Sequence, residues 1–366
     1  MTLNEHRKII DRLDAEIVRL LNERTEHVLR IGEIKLASGK EIYAPHRELA
    51  VLEKICRKNP GPVTDESLRA IYREIMSSAL VLQKTLIIAY LGPEATFTHQ
   101  AAIQRFGSSL KYSPQKTIAD VFYEVSKHRA DYGLVPVENS TEGVVTHTLD
   151  MFVESDLKIV SQLVLRIQYC LASHSRLKAV KRLYVHPQAL GQCRVWVRQY
   201  LPGVEVIESS SNSRAAEQAA AEPTAAAITS SLAAHKYELP VLETDIQDSP
   251  HNATRFLVLG RECSPPTGRD RTSLMFSVAD KAGALHSSLA PFRRYRINMT
   301  KIESRPSKRK AWEYFFFVDC DGHSEDPKVA KAMKELQIHC RFVKILGSYP
   351  NPDQPEPKKT KTPPEQ

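Results

Sequence analysis

Residues 132–143, YGLVPVENSTEG, carry the signal that decides the fold: an apolar, β-rich run that ends in a polar turn. A helical stretch follows over 144–153, so the turn lies between a strand and a helix. The same alternation of short β-rich runs and helical stretches recurs through residues 86–262. It predicts an α/β domain with mainly parallel strands, built as two half-domains that face each other across a cleft.

Two further patches in this segment resemble the first in chemistry. Gly92–Thr98 joins a β-rich run to a helical stretch, where free amides at the helix start could hold a carboxylate. Asn252–Phe256 enters the last β-rich run with an amide, a hydroxyl and a guanidinium group. Each patch alone is weak, because Ser and Thr cap helices in all kinds of protein. The three patches together are more specific for a site.

Upstream, residues 3–84 carry helix signals only. No Pro interrupts residues 7–35, and Pro45 suits the start of a second helix, which Asn59-Pro60-Gly61-Pro62 would end. Thr64 would cap a third helix whose first turn is acidic. This segment is predicted to be an all-α domain with a long helix, a short one and a long one.

Several charged or polar side chains stand on the apolar stripes of these helices. Arg7, Arg24 and Lys35 interrupt the first stripe, Glu48 lies on the second, and Gln83 ends the third. Burying an unpaired cation is costly, so a cluster of cations needs anionic partners. One interpretation is a ligand with two carboxylates, each held by an arginine. The alternative is that the cations reach solvent or pair with Glu residues of the same helix.

Downstream, a Pro-rich linker at 263–268 leads to a small unit. Its order of strand, helix, strand, strand, helix and strand over 272–346 predicts a βαββαβ, ferredoxin-like α+β fold. The last residues, 351–366, contain five Pro with mixed charges, and we expect them to be disordered.

Charge and composition exclude several classes of protein. The net charge is +8, and residues 263–350 carry 16 Lys/Arg against 9 Asp/Glu; we interpret this excess as a solvated basic loop or interface rather than as a nucleic-acid site. There is no apolar run of 18 residues and no apolar signal segment at the start. The six cysteines stand far apart, which favours reduced thiols. We expect a cytoplasmic protein that binds no membrane, nucleic acid, metal or cofactor.

Residues 4–84 resemble the all-helical chorismate mutases of the enteric type. The resemblance rests on the helix lengths and on Arg7, Arg24, Lys35, Arg47, Glu48 and Gln83. It implies an intertwined homodimer in which Arg7 reaches the partner's site. Ala44 and Ala79 stand where an Asp and a Ser can occur in the family.

The resemblance also implies roles in the rearrangement of chorismate. Arg7 and Arg24 would hold carboxylates, and Lys35 and Gln83 would donate hydrogen bonds to the breaking ether oxygen. Glu48 would bind the ring hydroxyl, oriented by Arg47.

Residues 86–262 resemble prephenate dehydratase, whose two subdomains are similar to periplasmic binding proteins. The most diagnostic blocks are Thr254–Phe256 and Glu138–Gly143. The resemblance implies that Thr254 is the essential hydroxyl. The implied substrate-binding residues are Asn139, Ser140, Thr141, Gln192 and Arg255, with Glu138 in support.

Residues 263–350 resemble an ACT regulatory domain. Two motifs carry this resemblance and imply an allosteric site for phenylalanine: Gly283, Ala284 and Leu285, and Glu303, Ser304, Arg305 and Pro306.

The order mutase (1–85), dehydratase (86–262), ACT domain (263–350) and tail (351–366) resembles the bifunctional P-proteins of bacterial phenylalanine synthesis. It implies conversion of chorismate to prephenate and of prephenate to phenylpyruvate, with feedback by phenylalanine. Two alternatives stay open: a dehydratase whose mutase half has decayed, and a catalytically silent ligand sensor with an ACT module.

Overall fold

The structure is a computed structural model that describes residues 1–39, 41–307 and 313–351. The chain forms two compact units. The first comprises residues 1–87 and 103–112, and the second the rest of the described chain. The predicted disordered tail, 351–366, lies outside the described residues from position 352 onward. Its first residue, Asn351, is described and is not disordered: it is buried, because its side-chain oxygen accepts a bond from Gln162 at 3.0 Å.

The first unit contains α1 (Leu3–Ala37), α2 (Pro45–Arg57) and α3 (Asp65–Gln83). Thr2 and Glu5 form a capping box on α1, and the Thr64 side chain accepts a bond from the third residue of α3. A Cβ at position 32 of α1 would lie 2.8 Å from Cγ of Gln83, so only glycine lets α3 approach α1 here. The predicted long, short and long helices are confirmed.

The later elements alternate between strands and helices. The strands are β1 (Ile87–Leu91), β2 (Lys111–Gln115), β3 (Tyr132–Asn139), β4 (Gly143–Val144), β5 (Lys158–Arg166), β6 (Cys170–Ser173), β7 (Arg182–Val185), β8 (Glu205–Glu208), β9 (Ala225–Thr229), β10 (Val241–Thr244), β11 (Ala253–Gly260), β12 (Asp270–Ser277), β13 (Met299–Pro306), β14 (Tyr314–Asp321) and β15 (Phe342–Pro350). The helices are α4 (Phe97–Phe106), α5 (Ile118–Ser126), α6 (Thr146–Glu154), α7 (Pro187–Gln192), α8 (Arg194–Tyr200), α9 (Asn212–Ala220), α10 (Ser231–Lys236), α11 (Ala284–Arg294) and α12 (Pro327–His339).

The α/β domain has two sheets, as the two half-domains require. The first runs β2-β1-β3-β11-β5, with β4 beside β3, and the second runs β10-β6-β9-β7-β8. The expectation of mainly parallel strands is wrong, because both sheets are mixed. β11 returns antiparallel between β3 and β5, and β6 lies antiparallel between β9 and β10. β11 thereby lies beside β3 in the middle of the first sheet.

The last four strands form an antiparallel sheet in the order β13-β14-β12-β15. Its apolar core joins sheet residues such as Leu274 and Phe276 to Phe292 of α11 and Leu336 of α12. This confirms the βαββαβ fold. β15 packs against β5 of the first α/β sheet. The sequence predicts that the third strand of this unit starts at Trp312; that residue lies outside the described chain, in which the strand runs from Tyr314.

Candidate functional site

A polar cluster lies where β3 ends and β11 begins. The two strands pair antiparallel with Thr254 opposite Asn139. The Asn139 amide nitrogen donates to Thr254 Oγ1 at 2.8 Å and to Asn252 Oδ1 at 2.9 Å. Because the buried Thr254 hydroxyl accepts this bond, its own proton is available to another acceptor.

The other half-domain contributes Gln192, at the end of α7. Its amide nitrogen donates to Thr141 Oγ1 at 3.2 Å and to Glu142 Oε1 at 3.0 Å. Its carbonyl oxygen accepts a 2.6 Å bond from the Asn252 amide. The cluster is therefore assembled from both sides of the predicted cleft.

The turn after β3 fixes Asn139. The side-chain oxygen Oδ1 of Asn139 accepts hydrogen bonds from the Thr141 backbone amide at 2.9 Å, the Thr141 hydroxyl at 2.6 Å and the Glu142 backbone amide at 3.0 Å. The Ser140 hydroxyl donates to the His251 carbonyl and accepts from the Ala253 amide, both at 2.9 Å. Ser140 thus ties the turn to the start of β11.

Asn252 and Glu142 lie in the polar patches recognised in the sequence, but neither was predicted to be a site residue, and both contact Gln192 in this cluster. Asn252 stands two positions before Thr254, and alternate residues of an extended chain share a face. That spacing was a usable signal.

The structure does not bring Glu138 and Arg255 to this cluster. Each is the strand neighbour of a cluster residue, so its side chain points to the opposite face of the sheet. There Arg255 Nη2 lies 2.7 Å from Asp319 Oδ2, and Lys301 Nζ lies 2.5 Å from Glu138 Oε2. Both partners belong to the C-terminal sheet.

In the helical unit, Lys35 and Glu48 lie within electrostatic reach of each other. Lys35 Nζ donates to the Ile42 carbonyl at 2.8 Å, and burial lowers the pKa of Lys35 while Glu48 opposes this shift. Glu48 Oε2 lies 3.0 Å from Arg105 Nη1, a residue of α4 that belongs to the same compact unit. Burial raises the pKa of Glu48, and Arg105 opposes that shift. No local sequence pattern indicates Arg105.

Of the other predicted mutase residues, Arg24 and Gln83 are partly buried, whereas Arg7 and Arg47 are exposed. Nη1 of Arg24 is buried, and within residues 1–39, 41–307 and 313–351 it meets no hydrogen-bond acceptor. Gln83 Nε2 donates weakly to the Ala79 carbonyl at 3.4 Å. Arg7 on α1 and Arg47 on α2 are exposed in the single chain.

The two motifs of the C-terminal unit lie on different elements. Gly283, with a left-handed φ of 77°, precedes α11, and Ala284 and Leu285 begin that helix. Glu303, Ser304 and Pro306 lie on β13, an edge strand of the sheet. Arg305, on the same strand, is bound elsewhere: its Nη2 lies 3.2 Å from Asp150 Oδ1 on α6.

No group of three or more His, Cys, Asp or Glu side chains within the described residues could hold a metal ion. None of the helices described has the length and apolar character needed to span a membrane.

Three family models match consecutive parts of the chain: chorismate mutase type II over residues 6–84, prephenate dehydratase over 88–264 and ACT domain over 272–337. A bifunctional chorismate mutase/prephenate dehydratase of Aquifex aeolicus is 51% identical over 353 residues, covering 95% of this chain and 98% of that protein. The chain belongs to the bifunctional chorismate mutase/prephenate dehydratase family.

Other family members and solved structures agree. A bifunctional chorismate mutase/prephenate dehydratase of Escherichia coli strain K12 is 30% identical over 368 residues, covering 94% of this chain and 95% of that one. The solved prephenate dehydratase of Arthrobacter aurescens, in complex with L-Phe, is 34% identical with a TM-score of 0.69. It covers 74% of this chain and 92% of its own. The chain therefore shares its fold with a solved dehydratase over most of its length.

Proposed function

We propose that the chain converts chorismate to prephenate in its helical unit and prephenate to phenylpyruvate in its α/β domain. The observation that carries the proposal is the hydrogen bond from Asn139 to the buried Thr254 hydroxyl, in a polar cluster completed by Gln192 from the other half-domain. The proposed boundaries are 1–85 for the mutase, 86–262 for the dehydratase, 263–350 for the ACT domain and 351–366 for the tail.

The mutase step is a unimolecular rearrangement, so the site must hold a compact conformer and stabilise charge on the breaking ether oxygen. The buried, unpaired Nη1 of Arg24 suits a substrate carboxylate. The Lys35 ammonium donates one hydrogen bond to the Ile42 carbonyl and has two further N–H groups for the ether oxygen. Gln83 would be the second residue that donates to this oxygen. Glu48 would accept a hydrogen bond from the ring hydroxyl, and Arg47 would orient this contact.

A homodimer completes this site in our proposal. Ile10, Leu13, Ile17 and Leu20 form an apolar stripe on α1 and are about half exposed in the single chain. A second α1 packed on this stripe would bury it and would bring Arg7 of the partner subunit to the second carboxylate.

In the dehydratase step the ring hydroxyl departs as carbon dioxide is lost, driven by aromatisation. Thr254 would donate the proton, directly or through water, because its hydroxyl already accepts from Asn139. Asn139, Thr141 and Gln192 would hold the substrate with fixed dipoles. Ser140 holds the turn, and Glu138 and Arg255 act from the far face of the sheet.

We further propose that phenylalanine binds the ACT domain at Gly283–Leu285 and Glu303–Ser304 and inhibits dehydration. The start of α11 has no side-chain cap, so its first-turn amides, apart from that of Ala284, which donates to the Lys281 carbonyl, suit the carboxylate of an amino acid. Phenylalanine titrated against prephenate turnover should inhibit wild type and inhibit Glu303→Ala/Ser304→Ala much less. Unchanged wild-type turnover at millimolar phenylalanine would contradict this part of the proposal.

The two activities are tested together by incubating purified protein with chorismate and following prephenate and phenylpyruvate. Both products should appear in sequence. Phenylpyruvate from added prephenate without any turnover of chorismate would indicate a decayed mutase. Neither product would indicate a silent sensor.

The six cysteines, all free in the structure, suit a reducing compartment, and we propose the cytoplasm as the site of action.

A further inference from the structure

The strands that carry the Thr254 cluster also carry charges on their other face. β3 and β11 pair Asn139 with Thr254 and, one position along, Glu138 with Arg255. Because side chains alternate along a strand, the first pair faces the cluster and the second faces the ACT sheet. The two pairs share the same backbone, so a movement of the second pair would displace the first.

Four charged side chains meet on this second face. Arg255 Nε lies 2.7 Å from Glu138 Oε1, and Arg255 Nη2 lies 2.7 Å from Asp319 Oδ2 on β14. Lys301 Nζ on β13 lies 2.5 Å from Glu138 Oε2. Arg255 and Asp319 are only 8% exposed, and Lys301 is 14% exposed. Two cations and two anions balance, which makes their burial tolerable.

The surrounding contacts leave this ion network little freedom. The second oxygen of Asp319 accepts a 2.5 Å bond from the Ser273 hydroxyl, and Gln162 Oε1 accepts from Arg255 Nη1 at 3.3 Å. The adjoining cavity between the two sheets measures only about 20 Å³. A Cβ on Gly347 of β15 would lie 2.2 Å from the Ile159 carbonyl oxygen of β5. The ACT sheet and the dehydratase sheet are therefore closely packed around the charges.

The network also reaches the proposed effector motif. Lys301 stands two positions before Glu303 on β13, so the two side chains share a face of that strand. A shift of β13 at Glu303 would therefore also move Lys301, which contacts Glu138.

We propose that Glu138 and Arg255 are positioning residues of the dehydratase, and that Lys301 and Asp319 transmit the state of the ACT domain to Asn139 and Thr254 through them. The inference rests on the proposed dehydratase activity and its inhibition by phenylalanine. In this proposal Arg255 acts through Asn139 and Thr254 and does not touch the substrate.

The test compares Lys301→Met with Lys344→Met in the full-length protein. Lys344 is a matched control, because its Nζ also crosses from the ACT domain to the dehydratase, at 2.7 Å from the Ser155 carbonyl and 3.2 Å from that of Phe152. Each change replaces one lysine side chain with an uncharged side chain of similar length, and only Lys301 contacts the ion network. Dehydratase kcat and KM, inhibition by phenylalanine, and calorimetric binding of phenylalanine are measured for each variant.

We expect Lys301→Met to lower dehydratase kcat and to reduce inhibition by phenylalanine at least about fivefold, the lower end of typical allosteric couplings. Binding of phenylalanine and turnover of chorismate should stay within about twofold, which a generally misfolded protein would not show. Lys301→Arg should restore both altered properties, and Lys344→Met should resemble wild type.

Misfolding is excluded with a second variant. Glu138→Gln/Lys301→Met neutralises both partners, leaves no unpaired charge between them, and should fold and lose inhibition in the same way. Wild-type inhibition and kcat in Lys301→Met, or in this double variant if the single one does not fold, would overturn the inference. Equal effects of Lys301→Met and Lys344→Met would overturn it too. Absence of phenylalanine inhibition in wild type would instead overturn the proposed regulation.

Discussion

Arg105→Ala should destabilise the helical unit near neutral pH, because it removes the cation that faces the Glu48 carboxylate. The two groups lie 3.0 Å apart, and their side chains are only 18% and 15% exposed. Breaking a buried ion pair by deleting one partner costs about 3–5 kcal/mol. Lys35 and Arg73 remain near Glu48 and both still lower its pKa, so we expect a loss near the lower end, about 3 kcal/mol.

The loss should depend on pH in a defined direction. Burial already raises the pKa of Glu48, and without Arg105 that pKa rises further. The folded variant then binds a proton more readily than the unfolded chain does, so its stability is greatest at acid pH. As pH increases through the folded-state pKa, this stabilisation disappears. The deficit relative to wild type should therefore grow as pH increases from about 4, the ordinary range of a glutamate pKa, toward neutrality.

Hydrogen exchange of the α2 amides, measured by mass spectrometry, reports the opening free energy of this part of the chain. Glu48→Gln provides the control, because an amide needs no cation. In the Glu48→Gln background, Arg105→Ala should cost at least about 2 kcal/mol less than in wild type. Equal costs in the two backgrounds, or a deficit that does not change with pH, would refute the electrostatic argument.

Three further predictions concern catalysis. Lys35→Ala should remove about 3–4 kcal/mol of transition-state stabilisation from the mutase and leave turnover of added prephenate near normal; assays with each substrate check this, and mutase activity within a few-fold of wild type would contradict it. Thr254→Ala should let prephenate accumulate from chorismate, seen by chromatography, whereas continued phenylpyruvate formation at the wild-type rate would mean that another hydroxyl is essential. Gln83→Glu should confine mutase activity to acid pH, because a carboxyl group donates only when protonated; a pH–rate profile like that of wild type would argue against Gln83 as a donor.

Local patterns predicted the helices and the ACT topology well, since these elements are amphipathic and punctuated by caps and prolines. The β-rich runs recognisable in residues 86–262 do not include β5, for an identifiable reason. Its centre contains Ser161 and Gln162, which break the apolar pattern of a buried strand. Gln162 is nevertheless buried, because its amide donates to Asn351 at 3.0 Å and its carbonyl accepts from Arg271 at 3.0 Å. Those partners lie far along the chain, where no local pattern could indicate them.

The site residues also divide into those that local motifs indicate and those that depend on partners far along the chain. Motif resemblance found Thr254, Asn139 and Gln192, which the structure brings into one cluster. It assigned Arg255 to the substrate, although the alternation of strand side chains already argued for the opposite face. Arg105 stands 57 positions from Glu48, and a single arginine on a helix carries no sign of such a contact.

The return of β11 into the first sheet also constrains how the protein forms during synthesis. β3 and β5 flank a gap that only β11 fills, and Thr254 follows Asn139 by 115 positions. The strands of the second sheet, between Cys170 and Thr244, are all made before β11 emerges. The second half-domain can therefore fold while the first still exposes unpaired strand edges, which are prone to aggregate. Nascent chains that stop short of residue 253 should depend on chaperones more strongly than chains that extend past 260.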